Sequence, residues 1–139
     1  MNKIINISGF DIIDEGASGY VFRLSRNRIL KIFKETYSDK EIELLILDEI
    51  KGSLSINRAL PVIKVVSVKD NERLTRGLIK RFIPYPVSKK EYNRIIKEDG
   101  KSWDDHINNF RKDSYGNIFK VDTQTSKSAS IHVLRKRKL

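Results

Sequence analysis

The 139-residue chain contains no cysteine. That removes disulfide stapling and thiolate chemistry, and it makes an intracellular compartment the default expectation. Two histidines without cysteine leave too few soft ligands for a transition-metal site. No run approaches the roughly 18 apolar residues of a membrane-crossing helix, so no membrane span is expected. The N-terminus lacks the basic and apolar regions of a secretory leader. A cytoplasmic protein, or one delivered into the cytosol of a host cell, is therefore expected. Aromatic residues are few, at 9%, and do not gather into stacking platforms for bases. What remains is 39% apolar and 33% charged, the balance of one domain with a core and a well-solvated surface.

Positive charge is in excess. The net charge is +10, and it leans toward the end: residues 1–84 carry 15 basic and 11 acidic side chains, residues 85–139 carry 13 and 7. Such a balance favours an anionic partner, whether nucleotide, nucleic acid, acidic protein or membrane surface. The run Arg135–Lys138 makes a nucleic acid one such partner.

The chain is organised around Asp11–Lys34. An apolar run leads into Gly16-Ala17-Ser18-Gly19, followed by alternating Tyr20, Val21, Phe22 and Leu24. A polar turn at Ser25–Arg28 opens a second apolar stretch, Ile29–Phe33, interrupted by Lys31. The pattern predicts strand, glycine turn, strand, tight turn and strand. Two glycines three apart permit positive φ and close approach of backbone N–H groups to a phosphate. A lysine inside an apolar strand needs an anion, since alone it would be a costly buried charge.

Ser38 with Glu41 three residues on predicts a capped helix start, running through Leu44, Leu45, Leu47 and Ile50 to an end near Lys51-Gly52. Leu60–Val68 and Leu74–Ile83 read as strands around a turn at Lys69–Glu72, and Pro84-Tyr85-Pro86 stops the second. Ser88–Lys97 has helix character with Tyr92, Ile95 and Ile96 as its apolar stripe. Phe110 begins a strand, Asp113–Gly116 supplies a turn, and Ile118–Val121 leads to Asp122. Such a hairpin brings Asn109 and Asp122, at its two ends, close together. Two oxygen ligands suit Mg²⁺ when nucleotide phosphates and water complete its octahedron.

The order of these features resembles the protein-kinase family, which writes G-x-G-x-x-G-x-V and then a strand of the V-A-I-K type. The matching positions are Asp14 (where the family has its first glycine), Gly16, Gly19 and Val21, then Ile29-Leu30-Lys31. The resemblance spans roughly residues 8–123. It implies an α+β fold: a small lobe over 1–84, with a five-stranded antiparallel sheet and one helix inserted after the third strand, and a strongly reduced large lobe over 85–139. It implies ATP and Mg²⁺ as cofactors and transfer of the γ-phosphoryl group to a hydroxyl on a protein.

By the same resemblance Gly16, Ser18, Gly19 and Val21 would cover the nucleotide and Lys31 would hold the α/β-phosphates. Lys80 would fall near the gatekeeper, and Phe82, in the hinge Arg81–Ile83, would contact adenine through its backbone. Asp104 would act on the attacking hydroxyl, four residues before Asn109, with Asp105 as the alternative in a shorter loop. Asn109 and Asp122 would bind the metal. Glu41, Glu43 and Glu49 compete to orient Lys31. Glu43 is selected because Leu47 and Ile50 follow at +4 and +7. Ser102-Trp103 stands where the family has His-Arg, and Thr123-Gln124 where it has Phe-Gly. So small a large lobe implies an activating protein partner or a homo-oligomer.

Two other readings belong beside this one. One is a degenerate kinase-like module that binds a partner without turnover. The other is a basic toxin-type ribonuclease or nucleic-acid binder in which His106 and His132 serve as general acid and base.

Overall fold

The computed structural model describes residues 3–16, 18–100 and 106–122. The strands are β1 (Ile4–Asn6), β2 (Ile12–Glu15), β3 (Gly19–Ser25), β4 (Arg28–Phe33), β5 (Val62–Asp70), β6 (Arg73–Arg81), β7 (Tyr85–Pro86), β8 (Phe110–Lys112) and β9 (Ile118–Lys120). The helices are α1 (Asp39–Ser55) and α2 (Lys89–Asp99), with a single 3-10 turn at Ile107–Asn109. The fold is α+β. No helix among the described residues is long and apolar enough to cross a membrane.

Chain contacts divide into two compact units. The first holds residues up to Leu47 together with Pro61–Phe82, and the second holds Asp48–Leu60 together with the described residues from Ile83 onward. One break falls between Phe82 and Ile83, and the stretch Asp48–Leu60 groups with the second unit.

In the first unit a six-stranded sheet runs β1-β5-β6-β4-β3-β2. Its five long members are antiparallel neighbours, but β1 lies parallel to β5, with Ile4 opposite Ser67 and Asn6 opposite Lys69. The sheet is therefore mixed rather than five-stranded antiparallel. Three residues are too few to show alternation, which is why β1 escapes a reading by periodicity. Ile7, just beyond it, is buried with Phe22, Leu30, Ile32, Val66, Val68 and Ile79 in the core on one sheet face. At about 25 cal/mol per Å² of apolar surface, such a cluster is the main source of stability for the unit.

Helix α1 begins as its sequence requires. Ser38 Oγ accepts from Glu41 N–H at 3.1 Å, and Glu41 Oε1 accepts from Ser38 N–H at 2.8 Å. It does not stop at Gly52. Ser53 Oγ donates to Ile50 O at 2.6 Å and Ser55 Oγ to Lys51 O at 2.9 Å, so serine hydroxyls satisfy carbonyls of the last turns. Its buried residues Ile42, Leu45, Ile46, Asp48 and Glu49 follow the 3.6-residue period. Leu47, expected on the inner stripe, is 62% exposed.

The second unit contains a three-stranded antiparallel sheet, β7-β8-β9, and α2. Val87, Ile95, Phe110 and Ile118 form its core, with Tyr92, Ile96 and Ile107 packed against them. A second capping box, Ser88 with Glu91, starts α2. Lys112 Nζ reaches both oxygens of Glu91 at 3.2 Å. The Ser88 N–H, the Lys112 ammonium and the Ser88 hydroxyl hold the Glu91 carboxyl below the usual glutamate range. Residues 58–60 run beside β9: Leu60 N–H donates to Lys120 O at 2.9 Å, and Lys120 N–H to Arg58 O at 2.8 Å. Arg58 also pairs with Asp99 at 2.7 Å and Glu98 at 2.8 Å, which ties this stretch to the end of α2.

Candidate functional site

The glycine turn joins β2 to β3, with Gly16 N–H donating to Gly19 O at 3.0 Å. A methyl group at Gly19 would lie 2.1 Å from Ile32 O, whereas one at Gly16 would meet nothing within 4 Å. Among the described glycines, positive φ occurs at Gly9, Gly100 and Gly116, so neither turn glycine uses the left-handed region. Gly19 is required by the close approach of β3 to β4 instead. Ser18 O accepts from Lys34 N–H at 2.9 Å, and the Lys34 ammonium reaches Glu15 at 3.4 Å.

Lys31 sits in β4, between β3 and β6, and is 9% exposed. Its register neighbours are Val21 on one side and Leu78 on the other. One row along, Arg23, Ile29 and Lys80 face each other across the same three strands. Residues directly opposite, and those two apart on a strand, share a face. Val21, Arg23, Lys31, Leu78 and Lys80 therefore share one sheet face, opposite the core containing Leu30 and Ile32. Arg76, two residues before Leu78 on β6, joins them. Lys31 and Lys80 are buried and both are engaged by other groups of the protein, as buried charges require.

The hinge-like stretch has most of its polar backbone groups engaged. Phe82 N–H donates to Asn27 O at 2.8 Å, so the amide expected to read adenine serves the β3–β4 turn. The Phe82 ring lies 3.7 Å from the Arg23 guanidinium carbon, and Arg23 is itself held by Ser25 O and Arg26 O, each at 2.7 Å. Further along, Arg111 of β8 donates from Nε to Ile83 O at 3.1 Å and from Nη2 to Pro84 O at 2.5 Å.

Of the acids on α1, Glu43 lies beside the buried stripe and pairs with Arg76 of β6. It borders a surface hollow of about 360 Å³, also lined by Ile4, Ile42, Leu74 and Arg76. Glu43 is engaged by the Arg76 guanidinium there. The buried acids of α1 are Asp48 and Glu49, which the choice by Leu47 and Ile50 passed over because Leu47 faces outward.

The hairpin β8–β9 places Asn109 and Asp122 at its open end. Phe110 pairs with Lys120 in register, and Val121 N–H donates to Asn109 O at 2.8 Å. Asn109 is buried and Asp122 half-buried. The closed end is fixed by Asp113, whose Oδ1 accepts from Tyr115 N–H at 3.0 Å and Asn117 N–H at 2.9 Å. Among the described residues no three His, Cys, Asp or Glu side chains cluster as a metal site, so the pair is one amide and one carboxylate. His106 is exposed. Asp104, Asp105 and His132 lie outside the described residues.

No protein-family model matches the chain, and no curated protein does so. Its chemistry has to be argued from these residues. The sheet face carries buried ammonium groups, and the open end of the hairpin carries one amide and one carboxylate, all of them engaged within the protein. The turn at Asp113–Gly116 was legible in the Asp-x-x-Gly pattern, whereas Arg111 had no signal, because its partners lie 28 and 27 residues away.

Proposed function

We propose that the chain is a minimal kinase-like phosphotransferase that uses ATP and Mg²⁺ to move the γ-phosphoryl group to a hydroxyl on a protein, in the cytosol. The observation that carries this reading is Lys31, buried in a central strand and directly opposite the first valine after the glycine turn. The sheet supports it: the five strands β2 to β6 are antiparallel neighbours with α1 inserted after the third of them, the order along the chain that the resemblance implied. In this reading Lys31 binds the α/β-phosphates, Val21 packs on the base, and Asp104 accepts the hydroxyl proton. Asn109 and Asp122 fit a hard, oxygen-loving cation, and Mg²⁺ bound there supplies charge neutralisation on the phosphates. The basic surface suits an acidic protein partner or substrate.

A second reading, a module that binds without turnover, is favoured by one observation. Gly16 N–H is engaged by Gly19 O rather than directed to a phosphate.

Calorimetric titration of Mg·ATP into the full chain, beside Lys31→Met and Asp122→Asn, tests the proposal. Lys31→Met keeps the volume and removes the ammonium. Binding should weaken at least about tenfold in each variant, a loss of about 1.4 kcal/mol, and phosphoryl transfer to a protein should disappear. Unchanged affinity in both variants overturns the assignment. Binding without transfer in the wild type selects the second reading.

A further inference from the structure

Helix α2 has two unlike faces. Ile95 is buried, and Tyr92 and Ile96 pack with it into the core of the second unit. Lys89, Lys90, Asn93, Arg94 and Lys97 are all exposed. At 3.6 residues per turn these five fall within about 140° of the helix circumference, as one continuous outer stripe. Four of them are cations, and none is acidic, apolar or aromatic. Arg94 has Glu98 at 4.0 Å, an acid that Arg58 already holds at 2.8 Å. Lys89, Lys90 and Lys97 make no ion pair among the described residues. Lys89 and Lys90 also stand in the first turn of α2, where the helix dipole disfavours a cation. Arg94 has Lys90 four residues before it and Lys97 three after, so like charges repel along the stripe. A row of anions laid along it removes both penalties.

The chemistry of the stripe narrows the partner. A helix lying in a membrane interface buries an apolar face in lipid, and the apolar face of α2 is covered by its own core. Protein interfaces are poor in lysine and are centred on aromatic anchors, which the stripe lacks. Single-stranded nucleic acid is held by stacking as well as charge, and no exposed position of α2 is aromatic. A duplex backbone asks only for cations at phosphate spacing. From Lys89 to Lys97 the stripe runs about 12 Å, the axial length of roughly three to four phosphates of one strand. We infer that the outer face of α2 binds the phosphate backbone of a double-helical nucleic acid without reading its sequence. This goes beyond the phosphotransferase reading and stands without it.

The test is fluorescence anisotropy of the full chain with DNA and RNA duplexes of about 20 base pairs, each in two unrelated sequences, between about 50 and about 200 mM salt. Lys89→Gln/Lys90→Gln/Lys97→Gln removes three charges from the stripe, and glutamine keeps the helix propensity. Lys40→Gln/Lys64→Gln/Lys69→Gln removes the same charge from exposed lysines of the first unit. The run Arg135–Lys138 is common to all three proteins, so its contribution cancels. The wild type should bind the two sequences alike, and the tighter of the DNA and RNA arms identifies the source of the backbone. The α2 variant should bind at least about tenfold more weakly, with a salt slope lower by about three, near one per lysine. The first-unit variant should stay within about threefold of the wild type. Equal weakening in the two variants shows attraction by net charge alone and overturns the assignment to α2. No duplex binding by the wild type at about 50 mM salt overturns it outright, as does a strong preference for one sequence. Capture by mixed phosphatidylserine and phosphatidylcholine vesicles, lost in the α2 variant while duplex binding is unmoved, transfers the stripe to a membrane and overturns it too. Lys97→Gln alone, with an expected slope change of about one, carries the test if the triple variant does not fold.

Discussion

The turn between β2 and β3 and the turn between β8 and β9 both reverse the chain beside residues assigned to the site, yet different parts of the protein hold them. Around Gly16–Gly19 the hold is backbone on backbone: Gly19 packs on Ile32 O, and Ser18 O takes the amide of Lys34. The tip at Gly16 touches nothing within reach of a methyl group. Around Asp113–Asn117 the turn holds itself, through one buried carboxylate that accepts from two backbone amides and from the Asn117 side chain. Gly116 supplies the positive φ, at 86°, that closes it. The first turn is anchored at its base, and the second is set at its own tip. Under the proposed phosphotransferase reading, the first turn would lie over phosphates and the second hairpin would present Asn109 and Asp122.

The sharpest way to break this comparison is at the anchored glycine. Gly19→Ala forces a methyl group against the Ile32 carbonyl, so the strands must part. A loss of about 3 kcal/mol or more is expected from chemical denaturation. Gly16→Ala should stay within about 0.5 kcal/mol of wild type. Equal losses at the two positions would remove the distinction between base and tip.

Asp113→Ala comes next. It leaves the amides of Tyr115 and Asn117 without their acceptor, and about 2 kcal/mol should be lost. Hydrogen exchange should accelerate at Tyr115 and Asn117 in this variant, with the amides of β3 and β4 unchanged. Uniform acceleration across the chain would show that the second turn is not self-contained.

The smallest effect asks whether the second hairpin is also held from outside, through Lys112 and Glu91. The folded state holds Glu91 below its ordinary value of 4.5. A depressed carboxylate stabilises the fold above the unfolded value, and that contribution fades as the pH falls from about 4.5 through the lower folded value. Denaturation midpoints at about pH 6 and about pH 3 should therefore differ less in Glu91→Gln than in the wild type. An identical pH dependence in the two proteins would remove Lys112–Glu91 from the account.

The features legible in the sequence are those decided within a few residues. Ser38 and Glu41 make their capping box because both partners lie in the same turn of α1. Phe110–Lys120 folds as a hairpin because Asp113 and Gly116 carry the turn between them. Features decided at a distance were hidden. Strand β1 has its place only because β5 accepts it. Glu43 and Glu49 look alike along the chain, and only the burial of Ile42, Leu45 and Ile46 shows which turn of the helix faces inward. The glycine turn was legible as a turn, but the reason for Gly19 lies in Ile32 on the next strand. The engagement of Phe82, Ile83 and Pro84 depends on Asn27 and Arg111, and no local pattern announces either.

The stretch Arg58–Leu60, bonded to Lys120 on both sides of Ala59, has a consequence for the order of folding. Pairing with Lys120 has to wait until that later partner has been made. As the chain leaves a ribosome, the strands from β2 to β6 can assemble as soon as Arg81 has emerged. The segment after α1 must wait, its backbone groups hydrated, until β9 arrives some sixty residues later. The second unit therefore cannot be completed before β9 has been made, and the residues leading into Asp122 are among the last of the described ones whose backbone partners become available.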